Sequence, residues 1–180
     1  QPGSLSSQDL PSKDDIKIPG MENKPRKKPI VLVLAGHDPG GGAGIQADIE
    51  TIAANGCHAA TVISALTIQN TTKFKKYIPV NPRDFLQQIE LIRSDMEISA
   101  CKIGLIGDAD ILRAIGTVIQ ELGNVPVVLD PVICAGTGEK IMPAKVRIEL
   151  YEKLLPHVTV ITPNSLESRT LTGAHGPAVA

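Results

Sequence analysis

The sequence has few of the residues that mark nucleic-acid surfaces and membrane surfaces. It contains no tryptophan, two tyrosines and two phenylalanines, so aromatic residues make up 2% of the 180-residue chain. Surfaces that stack bases need aromatic side chains. A formal net charge of −1 gives no electrostatic attraction to nucleic acid or to an anionic membrane. We therefore expect neither nucleic acid nor a membrane as a partner.

Cysteines are also scarce and irregularly spaced. The three thiols, Cys57, Cys101 and Cys134, are odd in number and form no CxxC pair. This pattern is typical of reduced thiols and favours neither a disulfide framework nor a zinc site. The chain also lacks an apolar run of the roughly 20 residues that cross a bilayer, and it has no signal-peptide pattern. These absences predict a cytoplasmic protein.

What the sequence does contain is a regular alternation of apolar runs and helical patterns from residue 29 onward. Residues 1–28 are rich in proline, serine and lysine, and we expect a disordered tail there. Residues 30–35 form a short, wholly apolar run that is typical of a strand buried on both faces. Further strand-like runs lie at residues 59–66, 101–106, 125–130 and 158–162. Helical patterns lie between them, near residues 44–54, 82–96, 111–122 and 146–155, and a last helix opens near Asn164. The alternation predicts an α/β fold with a mostly parallel sheet and helices on both faces.

A glycine-rich segment joins the first predicted strand to the first predicted helix. Residues 35–48 read AGHDPGGGAGIQAD, with four glycines in five positions. Glycine lets the backbone approach a ligand closely, and a helix N-terminus there favours an anion or a polar small molecule. The P-loop pattern fails because no lysine follows Gly44. A dinucleotide fingerprint, GxGxxA, is present, but the second strand ends without the acidic residue that completes it. A structural turn without a ligand is a further alternative.

Five segments, at residues 35–48, 63–71, 102–107, 128–132 and 161–167, carry motifs of one enzyme family in the family's order. Together they resemble the hydroxymethylpyrimidine/phosphomethylpyrimidine kinases of thiamine biosynthesis, which have a ribokinase-like fold. Residues 35–48 are similar to the family's AGSDPSGGAGIQAD, and residues 63–71, ISALTIQNT, to its ITALTAQNT. Residues 102–107, KIGLIG, resemble VKIGMLG, and residues 128–132, VLDPV, resemble VLDPVM. Residues 161–167, ITPNSLE, are similar to LITPNLPEA. The resemblance implies that residues 29–180 are the N-terminal part of a ribokinase-like kinase domain that is incomplete at its C-terminus.

The resemblance also implies an activity and its cofactors. The family uses ATP with Mg²⁺ to phosphorylate 4-amino-5-hydroxymethyl-2-methylpyrimidine and then its monophosphate. The family's catalytic base belongs to a GTGC-like loop that we expect beyond residue 180, so we expect this fragment to be inactive alone. Residues 136–138 resemble that loop but follow the wrong strand. A pyridoxal/pyridoxine kinase and a non-catalytic pyrimidine-binding module are the alternatives, and relatives are commonly homodimers.

Candidate site residues follow from the same resemblance. The substrate-binding positions that it implies are Gly36, Ala43, Asp48, Gln69, Leu105 and Val132. The Gln69 amide can donate and accept at once, which suits an aminopyrimidine edge, although it could instead cap loop amides. Asn164 and Glu167 match the family's NxxE element, which implies that both residues contribute to the nucleotide site and that Glu167 binds Mg²⁺. The same pair also has the spacing of a helix capping box. The family's lysine after the DPV segment is absent here, and Cys134 reads as a small apolar loop residue.

Overall fold

The computed structural model describes residues 27–134 and 141–173. Most of the predicted tail and the glycine segment at residues 136–138 lie outside this part of the chain. Among the described residues, none of the helices is both long and apolar enough to cross a lipid bilayer.

One six-stranded sheet forms the centre of the described structure. Its strands are β1 (Ile30–His37), β2 (His58–Gln69), β3 (Phe74–Pro79), β4 (Ile98–Ile103), β5 (Val127–Leu129) and β6 (Val160–Ile161). The spatial order is β3-β2-β1-β4-β5-β6, and every neighbouring pair is parallel except β2 with β3. The predicted α/β class with a mostly parallel sheet is therefore confirmed.

Five α-helices connect or follow the strands. They are α1 (Gly44–Ala54), α2 (Pro82–Asp95), α3 (Ala109–Leu122), α4 (Ala144–Glu149) and α5 (Ser165–Thr172). The sequence predicted one continuous helix at residues 146–155, whereas the structure has three short helical segments there. α4 ends at Glu149. A π-helical turn, Leu150–Leu154, follows it directly, and a 3₁₀ turn, Leu155–His157, comes next. Pro156 cannot donate a helical hydrogen bond, which explains why the α-helical pattern does not run on to Val158.

The central strand β1 separates two apolar layers. Leu32 and Leu34 point to one face and belong to the main core, which includes Phe85 of α2 and Ile115 of α3. The alternating residues Val33 and Ala35 point to the other face, where they pack with Ile45 of α1. Successive strand side chains alternate faces, so a wholly apolar strand needs helices on both sides. This layering confirms the predicted two-sided cover of the sheet.

Strand β3 was missed by the sequence analysis, which predicted no element between the strand at residues 59–66 and the helix near residues 82–96. It pairs antiparallel with the end of β2, with Leu66 opposite Ile78, at one edge of the sheet. Lys75 and Lys76 break the apolar pattern, and an edge strand tolerates such charges because one side faces water. Leu66 and Ile78 remain 45% and 44% exposed.

Strands β4 and β6 are shorter than the runs that predicted them. β4 spans Ile98–Ile103 and does not reach residue 106, because the chain leaves the strand at Gly104. β6 is only two residues long and forms the opposite edge of the sheet. Its residues Val160 and Ile161 are 49% and 37% exposed. Among the residues that the structure describes, the sheet thus ends on this side in a short strand with exposed apolar side chains.

Candidate functional site

A cavity of about 180 Å³ opens where the carboxyl ends of the parallel strands meet the start of α1. In open α/β sheets, ligands bind in the crevice at this edge. The lining residues are Ala35, Gly36, Asp38, Ala43, Gly44, Thr67, Gln69, Phe74, Lys102, Gly104, Leu105, Asp130, Val132, Cys134 and Ile141. The structure therefore places five of the six predicted substrate-binding residues, all except Asp48, on the wall of one cavity.

The glycine loop is held in shape by Asp38, which the sequence analysis did not single out. Its carboxylate accepts hydrogen bonds from the backbone N–H of Gly40, at 2.9 Å, and of Ala43, at 3.0 Å. Asp38 is 9% exposed, so these bonds satisfy a buried charge. An aspartate just before a Pro-Gly turn is the signal that could have identified this role.

Gly44 shows why the loop requires glycine at its junction with α1. Its φ is +60°, and a Cβ atom built there would lie 2.3 Å from the carbonyl oxygen of Gly36. Any side chain at position 44 would push the loop away from the end of β1. The floor of the cavity therefore depends on a backbone contact that only glycine allows.

The polar wall of the cavity contains one half-buried amide that has no protein partner in the described part of the chain. This is Gln69, at the end of β2, whose side chain makes no hydrogen bond to any described residue. The alternative interpretation, an amide that caps loop N–H groups, has no support among the described contacts. The neighbouring hydroxyl of Thr67 donates to the carbonyl oxygen of His37 at 2.8 Å. The donor and acceptor of Gln69 thus remain available to a ligand in the cavity.

Charged groups meet on the side of the cavity between β4 and α1. The Lys102 ammonium donates to Asp48 at 2.9 Å, and both side chains are largely covered, with 22% and 17% of their surface exposed. Asp48 itself is not among the described residues that line the cavity. It contacts Lys102, which does line the cavity. Burial raises the pKa of Asp130, and the positive charge of Lys102 opposes that shift. The wall therefore contains a lysine that is paired with Asp48 and whose positive charge also acts on Asp130.

The apolar wall is formed mainly by Leu105 and Val132. The hydroxyl of buried Ser64 donates to the backbone carbonyl of Leu105 and fixes the segment that follows β4. Val132 has φ +25°, a conformation that β-branched residues rarely adopt. Backbone strain of this kind persists where the surrounding structure enforces it, and it is concentrated at functional sites. Leu105 and Val132 together give the cavity a firm apolar side.

Asn164 and Glu167 form the capping box that their spacing predicts, at the start of α5. The Asn164 side chain accepts from the N–H groups of Leu166, at 3.0 Å, and Glu167, at 2.9 Å. Glu167 is 3% exposed; one carboxylate oxygen accepts from the N–H of Asn164 and the other from the N–H of Ile133, each at 3.0 Å. The capping interpretation is confirmed, and Glu167 also fastens α5 to the segment that follows β5.

Metal ligation by Glu167 stays a prediction. No group of three or more histidine, cysteine, aspartate or glutamate side chains that could hold a metal ion occurs among residues 27–134 and 141–173. Both carboxylate oxygens of Glu167 are already engaged by backbone N–H groups, which disfavours direct ligation. Each oxygen keeps one further lone pair, so a contact through water is compatible with the geometry, and Mg²⁺ usually keeps several waters.

Comparison with known proteins identifies the family of the chain. A family model described as phosphomethylpyrimidine kinase matches residues 38–179. Hydroxymethylpyrimidine/phosphomethylpyrimidine kinases from Haemophilus influenzae and Escherichia coli are each 38% identical over 143 residues, which is 79% of this chain. The matched region covers 53% and 54% of those proteins, so the chain spans about half the length of these curated relatives.

Solved structures with the same fold are vitamin kinases. A phosphomethylpyrimidine kinase from Clostridium difficile superposes with a TM-score of 0.75 at 32% identity, over 83% of this chain and 64% of that one. An ADP complex of Bacillus subtilis pyridoxal kinase gives a TM-score of 0.72 at 29% identity, over 83% and 55%. These neighbours confirm the ribokinase-like fold that the resemblance implied. Because the family model covers most of the chain, the chain belongs to the phosphomethylpyrimidine kinase family.

Proposed function

We propose that this chain supplies the acceptor-binding part of a kinase that phosphorylates 4-amino-5-hydroxymethyl-2-methylpyrimidine and then its monophosphate in thiamine biosynthesis. The observation that carries the proposal is the single cavity that gathers Gly36, Ala43, Gln69, Leu105 and Val132. The Gln69 amide offers the paired donor and acceptor that an aminopyrimidine edge requires, beside an apolar wall for the ring and its methyl group.

The reaction needs little covalent chemistry from the protein. The hydroxyl oxygen of the acceptor attacks the γ-phosphorus of ATP, the bond from that phosphorus to the β,γ-bridging oxygen breaks, and the hydroxyl proton passes to a base. That base would belong to the GTGC-like glycine loop that the resemblance implies. The described residues would bind and orient the acceptor and exclude water, and Mg²⁺, when bound, would neutralise charge on the phosphates. Glu167 would reach that ion through water.

Specificity for the pyrimidine is also part of the proposal. The curated relatives named above are pyrimidine kinases, whereas pyridoxal kinases enter through structural similarity at a lower identity. A site that hydrogen-bonds a polar edge rejects analogues that leave its groups unpaired. We therefore expect the Gln69 amide to favour the aminopyrimidine over the phenolic pyridine of pyridoxal. A cytoplasmic homodimer is expected from the family resemblance, and size-exclusion chromatography tests the dimer.

Titration calorimetry of the chain with the hydroxymethylpyrimidine, and separately with pyridoxal, tests the proposal. We expect the pyrimidine to bind and Gln69→Ala to weaken that binding about tenfold or more, because a lost hydrogen-bonding pair costs on the order of 1–3 kcal/mol. Gln87→Ala is the matched control, since Gln87 is exposed on α2. Absence of pyrimidine binding would overturn the proposal, and tighter binding of pyridoxal would favour the pyridoxal kinase alternative.

A further inference from the structure

Lys102 occupies an unusual place for a lysine, because it lies within the central sheet and not at its surface. In the parallel pairing of β1 with β4 it is opposite Val33. Its side chain runs along the face of the sheet that α1 covers, and its ammonium is reached by Asp48 of that helix. Covering a cation in this way is costly unless it is paired, so the position needs a reason beyond packing.

The chain leaves room for the ammonium at the cavity wall. A Cβ atom at Gly104 would lie 2.9 Å from Lys102 Nζ and 3.0 Å from the Cβ atom of Ala35. Glycine at this position therefore keeps open the path by which the lysine reaches the cavity. The cavity is lined by Gly104, Ala35 and Lys102. A ligand in the cavity would therefore lie next to the space that the lysine side chain occupies.

The donors that remain for a ligand can be identified from the lining residues. Of those that the structure describes, Gln69 and Lys102 are the ones with side-chain N–H groups. The Thr67 hydroxyl is engaged by the backbone of β1, and both oxygens of Asp38 accept backbone N–H groups. The Lys102 ammonium has three N–H groups, and its hydrogen bond to Asp48 uses one of them. The ammonium of Lys102 can thus still donate into the cavity while it is paired with Asp48.

The acceptor proposed above has a hydroxymethyl oxygen in addition to its aminopyrimidine edge and its other ring nitrogen, and this oxygen is the polar atom that reacts. If Gln69 binds the edge, the hydroxymethyl oxygen needs a donor of its own, and Lys102 is the other side chain that offers one. We propose that the Lys102 ammonium donates a hydrogen bond to the hydroxymethyl oxygen of the acceptor pyrimidine, with Asp48 as the positioning residue that holds the ammonium there. This inference rests on the proposed function and adds a residue to it.

The arrangement gives Asp48 a definite role. Asp48 does not line the cavity, so it would contribute to substrate binding by holding the Lys102 ammonium in position. The ammonium would fix one lone pair of the hydroxymethyl oxygen. The O–H proton and the other lone pair of that oxygen would then remain free for transfer.

The contribution of this hydrogen bond to the affinity can be measured by comparing two ligands, one with the hydroxymethyl oxygen and one without it. The first is the hydroxymethylpyrimidine, and the second is 4-amino-2,5-dimethylpyrimidine, which lacks the oxygen. We expect the chain to bind the first more tightly by about tenfold or more, because a hydrogen bond to a charged donor is worth that much. Lys102→Met keeps the apolar stem without the ammonium. We expect it to abolish this preference while its affinity for the dimethyl compound changes little.

Two further variants complete the calorimetric experiment. Lys28→Met removes an exposed lysine just before β1, at the opposite end of that strand from the cavity, and should leave the preference unchanged. Asp48→Asn should reduce the preference without changing the affinity for the dimethyl compound, a selective effect that general destabilisation would not produce. If Lys102→Met does not fold, Gly104→Ala replaces it, because its methyl group would displace the ammonium.

The outcomes distinguish this inference from the proposed function. If the parent chain binds both pyrimidines equally, or Lys102→Met keeps the preference, the inference is wrong while the proposed function stands. If the parent chain binds neither pyrimidine, both fail. Loss of the preference in Lys102→Met and its retention in Lys28→Met would establish the hydrogen bond.

Discussion

Glu167 is a buried carboxylate whose two oxygens each accept a backbone N–H, one from the start of its own helix and one from Ile133 across the site. Replacing it with glutamine changes one acceptor oxygen into an NH₂ group of nearly the same size. The new donor must face a backbone N–H that is also a donor. We expect Glu167→Gln to destabilise the fold even when no metal ion is present.

The magnitude follows from the contacts. Glutamine keeps one accepting oxygen, so one charge-assisted hydrogen bond is lost and one backbone N–H is left without an acceptor. Such a loss costs about 1.5–3 kcal/mol, and the remaining bond becomes weaker because its acceptor is neutral. We therefore expect the free energy of unfolding to fall by about 2–3 kcal/mol, a large share of the roughly 5–15 kcal/mol of a typical domain. Urea unfolding in the presence of a chelator, followed by far-ultraviolet circular dichroism, measures it.

Glu152→Gln provides the matched control, because Glu152 is exposed on the π-helical turn. Substitutions of this kind usually change stability by less than about 0.5 kcal/mol. If Glu167→Gln without metal changed the free energy of unfolding as little as Glu152→Gln, the capping hydrogen bonds would not stabilise the fold and the argument above would be refuted. Adding Mg²⁺ then tests the second predicted role: if Glu167 also holds the ion through water, Mg²⁺ should stabilise the parent chain more than the variant.

Three other predictions concern the site and the core. Gly44→Ala should lower the free energy of unfolding by at least about 2 kcal/mol, since left-handed backbone alone costs about 1–2 kcal/mol and its Cβ would lie 2.3 Å from a carbonyl oxygen. Gly42→Ala, whose Cβ would meet nothing closer than 3.8 Å, is its control in urea unfolding, and equal losses would contradict the reasoning. Asp130→Asn should raise the melting temperature at neutral pH, because burial raises the pKa of Asp130 and so makes its charged form the costly one. The higher melting temperature of the variant should be lost as the pH falls through the raised pKa to below the ordinary value of 3.8, because Asp130 is then neutral like the asparagine. A difference in melting temperature that stays constant over this pH range would disprove the prediction. Burial also raises the pKa of the Cys101 thiol to about 12, so iodoacetamide should label Cys57 well before Cys101 in the folded chain, and mass spectrometry showing equal labelling would overturn this.

The layered fold was predictable because its cause is local. Apolar runs such as residues 30–35 can be satisfied only with cover on both faces, and the helical patterns between the runs supply that cover. The cavity residues Gly36, Gln69 and Val132 were predicted from resemblance and not from physical pattern. Nothing in the local sequence of Gln69 shows that its amide stays unpaired. That property depends on the cavity assembled around it.

The missed features depend on contacts between distant or folded-back segments. Asp38 acts by accepting N–H groups of its own loop, which requires the loop to close first. Lys102 was quoted in a matching motif without a role, although a lysine inside an apolar run predicted to be buried needs a partner. Its partner, Asp48, is 54 residues away. The antiparallel strand β3 was missed because two lysines interrupt its pattern, and only its place at the sheet edge makes them acceptable.

The exposed apolar side chains of β6, which is an edge strand among the described residues, have a practical consequence for handling the protein. A strand at the edge of a sheet presents unpaired N–H and C=O groups, and proteins usually protect such edges with charge, proline or a covering element. Here the edge carries Val160 and Ile161, both substantially exposed, with Leu166 nearby in sequence and 47% exposed. We expect this edge to recruit strands from other molecules during refolding. Yield and solubility of the isolated chain should therefore fall steeply with concentration, and a lysine in place of Val160 should relieve that loss without altering the cavity.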